Sequence, residues 1–413
     1  MPLRRSCFTT PPAMFVLPSC LVVACAQGTT LPTLGSGGNG GDDTWGAQSS
    51  SSSSGNGPGS SSSGSLSSSS GTSSGGTVAS GSLAVVRVGD GSAMLTGDAT
   101  PVYVEYFETN GDPTPGKTPT ALPTFASGNN WPLTLSGTST AEGNLSLAGN
   151  GQFLLLVGYG ADVGTTTVSS TDATIYPRVV GRIDGSGNVD TTTSLGMAFN
   201  VSSPRGAAST DGFSLWISGN GGPTVGGVHY TTLGASGTTQ ILAAPSNTRF
   251  THIFDNQLYA TSGAGTFVNV FTIGSGLPMS TGQTATPLPG MPTTTGPSPY
   301  SFAFVDRSSN IPGVDTLYVA DDRSVANGGG IQRWVYDGST WTNDLTFGDG
   351  TAGVRGLAAA VEGNGVRIIA TTAEAASNRI LSILDEPGFS PTIVPIATAP
   401  TNTLYRGIAF APK

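Results

Sequence analysis

One phrase recurs six times between Glu142 and the end of the chain, and it limits the fold more than any other feature. It is a charged or aromatic residue, often followed by Gly, then a small or apolar run, a turn and a strongly apolar strand. The copies begin at Glu142 (EGNLSLAGNGQFLLLVGY), Arg205 (RGAASTDGFSLWISG), Arg249 (RFTHIFDNQLYATSG), Tyr300 (YSFAFVDRSSNIPGVDTLYVAD), Arg355 (RGLAAAVEGNGVRIIATT) and Arg406 (RGIAFAPK). Their starts lie 63, 44, 51, 55 and 51 residues apart. A period of about 40–50 residues, with about four strands per unit, is the signature of a β-propeller.

The last copy is cut short, since Arg406–Pro412 supplies one strand before the chain ends. Leu83–Gly89, Pro101–Phe107 and the region of Thr118–Pro123 can complete that blade. Closing the ring with strands from both termini removes free sheet edges, which invite aggregation. The expected fold is all-β, a six-bladed propeller over residues 82–413. The 63-residue interval, with its TTTVSSTDATIYPRVV insertion, leaves room for a seventh blade. The stretch most like a helix, Arg355–Asp385, is broken by Gly363-Asn-Gly365, so Val366–Ala370 and Ile380–Leu384 read as strands.

The fourth copy contains Leu317-Tyr-Val-Ala-Asp-Asp, a Gly-rich loop and Ile331-Gln-Arg-Trp. This resembles the NHL/YVTN-type propeller repeat, in which an aliphatic-Tyr-Val-Ala-Asp strand, a small loop and Arg-Ile-Gln follow one another. Ile368–Thr371 with Ser377-Asn378-Arg379-Ile380 is a fainter echo, and most other copies lack the Asp and the Asn-Arg pair. Residues 82–413 also resemble propeller domains of large secreted bacterial proteins, through the phrase RVGDG at Arg87–Gly91.

The N-terminus addresses the chain. Arg4 and Arg5 precede a short apolar run, AMFVLPSCLVVA over residues 13–24, of the length a secretory signal uses. It ends in Leu21-Val-Val-Ala-Cys25. This resembles the lipobox of bacterial lipoproteins, which implies removal of residues 1–24 and lipidation of Cys25. The other reading is an ordinary cleaved signal in which the Cys is incidental. Ala26, where that family's inner-membrane members carry Asp, implies an outer-membrane or surface destination. Residues 25–81 form a Ser/Gly-rich linker with too few apolar side chains to offset its ordering entropy. Such a coil spans on the order of 40 Å. A GxGxxG match at Gly35–Gly40 and a GxSxG match at Gly71–Gly75 fall in it, outside the strand–turn–helix context that gives either motif its chemistry.

Composition narrows the function. A net charge of −9 argues against nucleic acid as a partner. Cys7, Cys20 and Cys25 are the only cysteines, so the body of the chain has neither a disulfide framework nor a Cys-rich zinc site. The two histidines, His229 and His252, sit in no metal-ligand spacing and are expected to be structural; His252 either shares a strand face with Phe250 and Phe254 or faces the neighbours of Thr251. Asp184-Gly-Ser-Gly-Asn-Val-Asp190 reads either as a hairpin turn or as a calcium loop without the downstream Glu. Asp306, Asp315, Asp321 and Asp322 read as solvated loop carboxylates or as a metal pocket.

The residues that open the copies are the candidate ligand-binding set: Glu142, Arg205, Arg249, Tyr300, Arg355 and Arg406. Equivalent positions of a propeller converge at one mouth of its channel. Four guanidiniums there can bind a carboxylate, phosphate or acidic glycan through paired hydrogen bonds, or each can serve as a strut to the next blade. The expected function is a lipid-anchored binding or scaffolding module outside the cytoplasm, taking a small anion, glycan or protein, without a catalytic set or cofactor. The alternative is a calcium-dependent hydrolase of the lactonase or phytase kind, which wants Asp, Glu and Asn around the channel instead.

Overall fold

A computed structural model describes residues 81–294 and 296–413. The expected signal sequence, Cys25 and the linker up to residue 80 lie outside the described residues. No described helix is long and apolar enough to cross a membrane.

Six four-stranded antiparallel sheets follow one another along the described chain. Blade 2 comprises Leu145–Leu147, Phe153–Tyr159, Arg178–Asp184 and Val189–Ser194. Blade 3 comprises Pro204–Ala208, Ser214–Gly219, Gly227–Thr232 and Thr239–Leu242. Blade 4 comprises Thr251–Phe254, Gln257–Ser262, Asn269–Ile273 and Ala285–Pro287. Blade 5 comprises Pro299–Val305, Thr316–Asp321, Gly330–Tyr336 and Trp341–Phe347. Blade 6 comprises Val354–Glu362, Gly365–Thr372, Arg379–Asp385 and Thr392–Thr398. The first strand of each is innermost and meets the innermost strands of its neighbours.

Blade 1 is built from both ends of the described chain. Its inner strand is Leu404–Phe410, paired with Leu83–Val88 so that Leu83 faces Phe410 and Val88 faces Leu404. Val102–Phe107 and Thr120–Ala121 complete it. The ring therefore closes as the truncated sixth copy requires. The long interval in the repeat holds a loop rather than a seventh blade. Tyr159 and Arg178 are paired neighbours in blade 2, and the chain between them makes one 3-10 turn at Val168–Ser170.

The strands read as unbroken apolar runs because both faces of each blade are buried against other blades. Leu83 and Val85 pack with Ile369 and Ile380 of blade 6. Ala84, Val86 and Val88 turn the other way, onto Leu154 and Leu156 of blade 2. In blade 5, Leu317 and Val319 join Phe250 and Val270 of blade 4, while Tyr318 and Ala320 join Ile368 and Leu381 of blade 6. The remaining seams, between blades 2 and 3 and between blades 3 and 4, are filled likewise by Leu155 with Ile217 and by Trp216 with Leu258. Each fully buried aliphatic side chain contributes roughly 1.5–3 kcal/mol.

Candidate functional site

Each inner strand starts at the same mouth of the channel, and the six predicted residues stand there. Arg205, Arg249, Arg355 and Arg406 lie within two residues of the start of their inner strands, and Tyr300 is the second residue of that of blade 5. Glu142 precedes the inner strand of blade 2. Glu142, Arg355 and Arg406 line one small cavity with Asn144 and Asn378. Tyr300 carries the contact onward, with the Arg249 guanidinium 4.3 Å and that of Arg355 5.7 Å from its ring centre. Arg205 completes the ring: the nearby Tyr300, Arg249 and Glu142 all act on its charge.

The guanidiniums reach across blade seams. Arg205 Nη1 donates to Asn247 Oδ1 (2.6 Å) and to the Thr248 carbonyl (3.0 Å), just before blade 4. Arg249 Nη1 donates to Ser298 Oγ (2.9 Å) and to the Pro299 carbonyl (2.8 Å) of blade 5. Arg406 Nη2 donates to the carbonyls of Ser136 (2.7 Å) and Gly137 (2.9 Å), ahead of blade 2. Arg355 instead reaches back, its Nε donating to Asp322 Oδ2 at 3.2 Å, and also bonds the Ala373 carbonyl. Glu142 accepts from the Ser136 N–H (3.1 Å), the Tyr159 hydroxyl (2.7 Å) and the Ser203 hydroxyl (2.9 Å).

The charges are held in a poorly solvated place. Burial lowers the Arg406 guanidinium to about 10, which keeps it cationic at neutral pH, and burial lowers Arg205 as well. Burial, reinforced by Glu142, drives the Tyr159 hydroxyl well above its usual range, so it stays a donor. Two buried guanidinium nitrogens, Arg205 Nε and Arg406 Nη1, have no hydrogen-bond partner among the described residues. The cavity beside Arg406 measures about 20 Å³, room for about one water.

The carboxylates of blade 5 do not converge. Asp306 is exposed. Asp315 is 2 % exposed and accepts from the N–H groups of Arg307 and Ser308 and from the Thr316 hydroxyl. Asp321 is fully buried and accepts from the Ser298 N–H, Arg323 and Gln332. Asp322 serves Arg355. Two of the four are thus buried struts rather than solvated loop groups. Among the described residues no three His, Cys, Asp or Glu side chains are grouped to hold a metal. Asp184 closes the hairpin between Arg178–Asp184 and Val189–Ser194, its Oδ1 accepting from the N–H groups of Ser186 and Asn188 at 2.9 Å each.

Both histidines are packed. His229 Nε2 lies 3.1 Å from the Gly226 carbonyl and Nδ1 2.9 Å from Thr238 Oγ1, against Phe199. His252 shares its face with Phe250 and Phe254, as its spacing predicts, and lies in the other half of the channel.

Sequence reasoning missed a second set at the same mouth. The hydroxyls of Ser218, Thr261 and Thr371 each donate to the carbonyl of the ring residue on the next blade, respectively Arg249 (3.1 Å), Tyr300 (2.8 Å) and Arg406. The signal was present: LWIS, LYAT and IIAT each place a hydroxyl near the end of a second strand. Asn378 does similar work, donating to the Thr372 and Tyr405 carbonyls and accepting from the Tyr405 N–H.

No family model matches the chain, and no curated protein matches it. Among solved structures, it is similar to a chain of a nidogen/laminin complex at 12% identity, covering 79% of this chain and 98% of that one, with a TM-score of 0.43. The soluble aldose sugar dehydrogenase of Escherichia coli in its apo form is similar at 13% identity, with coverages of 69% and 92% and a TM-score of 0.39. Hydrazine synthase of Kuenenia stuttgartiensis is similar at 12% identity, with coverages of 63% and 67% and a TM-score of 0.38.

Proposed function

We propose that this chain is an extracytoplasmic binding or scaffolding module: a propeller, tethered to the cell envelope by lipid on Cys25, whose charged mouth takes a small anion or an acidic glycan. The observation that carries the reading is the pair of buried guanidinium donors left without a protein acceptor, Arg205 Nε and Arg406 Nη1. A buried cationic donor without an acceptor is costly, so an oxygen from outside the protein is wanted there. The water-sized cavity sets the manner of binding. A ligand lies across the mouth and inserts one oxygen, while Arg355, which lines the same cavity as Arg406, meets the rest.

The alternative, a calcium-dependent hydrolase, fits this ring less well. Four arginines still outnumber the carboxylates of Glu142, Glu374 and Asp322 there, which disfavours a divalent cation. The test is a thermal-shift series on the full chain with phosphate, small carboxylates, acidic and neutral glycans, and calcium with EGTA controls. Binding to the native state raises the melting temperature. We expect an anion- or glycan-dependent rise that Arg355→Ala removes. No rise with any anion would end the anion reading, and a rise with calcium alone would favour the hydrolase. For the anchor, a lipid-analogue label should be incorporated by the full chain and lost in Cys25→Ser.

A further inference from the structure

Beyond the charged mouth, the same inner strands continue to the opposite end of the channel, and the side chains there change character. A cavity of about 160 Å³ opens between them. Its walls include His252 and Phe254 of blade 4, Phe302 of blade 5, Ala359 of blade 6, Phe410 of blade 1 and Leu147 of blade 2. No charged side chain lines it. Gly149, on the rim, is exposed, so the space communicates with solvent.

One wall is aromatic and already assembled. Phe250, His252 and Phe254 alternate along a strand edge and so project to one side. The His252 and Phe254 rings are stacked, with centroids 4.5 Å apart and planes inclined by 26°. Phe302 meets Phe250 edge-on at 5.6 Å and Phe254 at 5.8 Å, which holds both rings in place.

Of the polar side chains around the cavity, Ser146 is already engaged with the Ala207 carbonyl, which leaves His252 on the aromatic wall. His252 Nδ1 is engaged by its own backbone, 2.9 Å from Ile253 N and 3.1 Å from the Ile253 carbonyl. No hydrogen bond to a described residue engages Nε2. Burial lowers this imidazole to about 4, so it is uncharged at neutral pH. A neutral ring nitrogen facing an apolar space is stabilised by a ligand that meets it with one hydrogen bond.

We propose that this end of the channel binds a small neutral aromatic molecule carrying one hydrogen-bonding group, its ring against the Phe254–Phe302 wall and its polar atom on His252 Nε2. Size supports this class: an apolar cavity of about 150 Å³ accepts benzene, so the space here admits one ring and a short polar substituent. The uncharged lining selects a neutral molecule. This site and the charged mouth stand or fall separately.

The test titrates the full chain with phenol and indole, with cyclohexanol as a saturated match and benzene as a ring without a polar group. Binding is followed through the imidazole ¹⁵N resonances, which one substitution assigns because the chain has two histidines. Phenol and indole should shift His252 and leave His229 in place, and cyclohexanol should bind about tenfold more weakly. His252→Phe keeps the wall and should weaken phenol about tenfold while sparing benzene. Ala359→Leu should fill the space and abolish binding at an unchanged melting temperature. The assignment is overturned if His252 fails to respond to either probe up to its solubility limit, if cyclohexanol binds as well as phenol, or if phenol binds Ala359→Leu and the parent chain equally.

Discussion

The glycines of the Arg-Gly pairs serve the neighbouring blade. Gly206, Gly356 and Gly407 all have ordinary negative φ, so left-handed backbone does not explain them. A Cβ on Gly407 would collide with the backbone of Leu145 and Gly143 in blade 2, and one on Gly356 would lie 2.6 Å from the Arg406 carbonyl. One on Gly206 would meet nothing nearer than Ser218 Oγ at 3.1 Å, with Thr251 N at 3.3 Å and the Arg249 carbonyl at 3.5 Å. Gly407→Ala should therefore cost about 3 kcal/mol or more, because backbone cannot give way, and Gly206→Ala roughly 1 kcal/mol; urea unfolding of both variants checks the order. The histidines carry a pH dependence at the same scale. Burial depresses His252 to about 4 from an ordinary 6.5, and lowers His229 in the same direction. Between those values the unfolded chain holds the extra proton, so stability is full above about pH 6.5 and falls as pH drops toward 4. His252→Phe should flatten that fall by on the order of 2 kcal/mol, read from unfolding curves at pH 7 and pH 4.5.

At the scale of elements, blades 5 and 6 are joined by a charged clamp. Asp385, the last residue of the third strand of blade 6, is fully buried and accepts from Arg333 Nη1 (2.7 Å), Arg307 Nη1 (3.2 Å) and the Tyr318 hydroxyl, all from blade 5. Tyr318 and Arg333 belong to the stretch that resembles the NHL/YVTN repeat, so their types were legible as part of a pattern. Their partner was not, because LSILDEPG reads only as a strand running into a turn. Asp385→Ala leaves two cations and a hydroxyl without their shared acceptor, although Arg333 keeps Asp344. We expect a loss of about 2–3 kcal/mol, less than for a fully enclosed ion pair because both arginines can still reach water. Chemical denaturation of the variant measures it, and an unchanged midpoint would show that the clamp adds no net stability.

At the scale of the molecule, stability is shared around a closed ring. Each of the six seams has its own apolar cluster. Blade 1 is the one seam-bearing sheet whose strands come from distant parts of the chain, with Leu404–Phe410 inside and Leu83–Val88 beside it. Ending the chain after Thr403 removes that inner strand together with Arg406, Ile408 and Ala409, and opens the seams to blades 2 and 6. Calorimetry should then show a broad, weak transition in place of a single sharp one. A sharp transition at the parent temperature would mean that closure of the ring adds nothing.

The chain's sequence alone determined the class of fold, the closure by both termini and the six residues that crowd one mouth, while six blades rather than seven was decided by the structure. Each of these follows from local properties, namely strand patterning, turn residues and the period at which they return. Only the tertiary structure decided what those residues touch. The acceptors of Arg205, Arg249 and Arg406 are largely main-chain carbonyls, which every residue carries and no sequence distinguishes. The same holds for the aromatic cavity at the far end. His252 and Phe254 were legible as one strand face, but Phe302, Ala359 and Phe410 reach it from three other blades. That meeting depends on how closely the inner strands approach one another, a distance set by packing across all six seams and written in no single repeat.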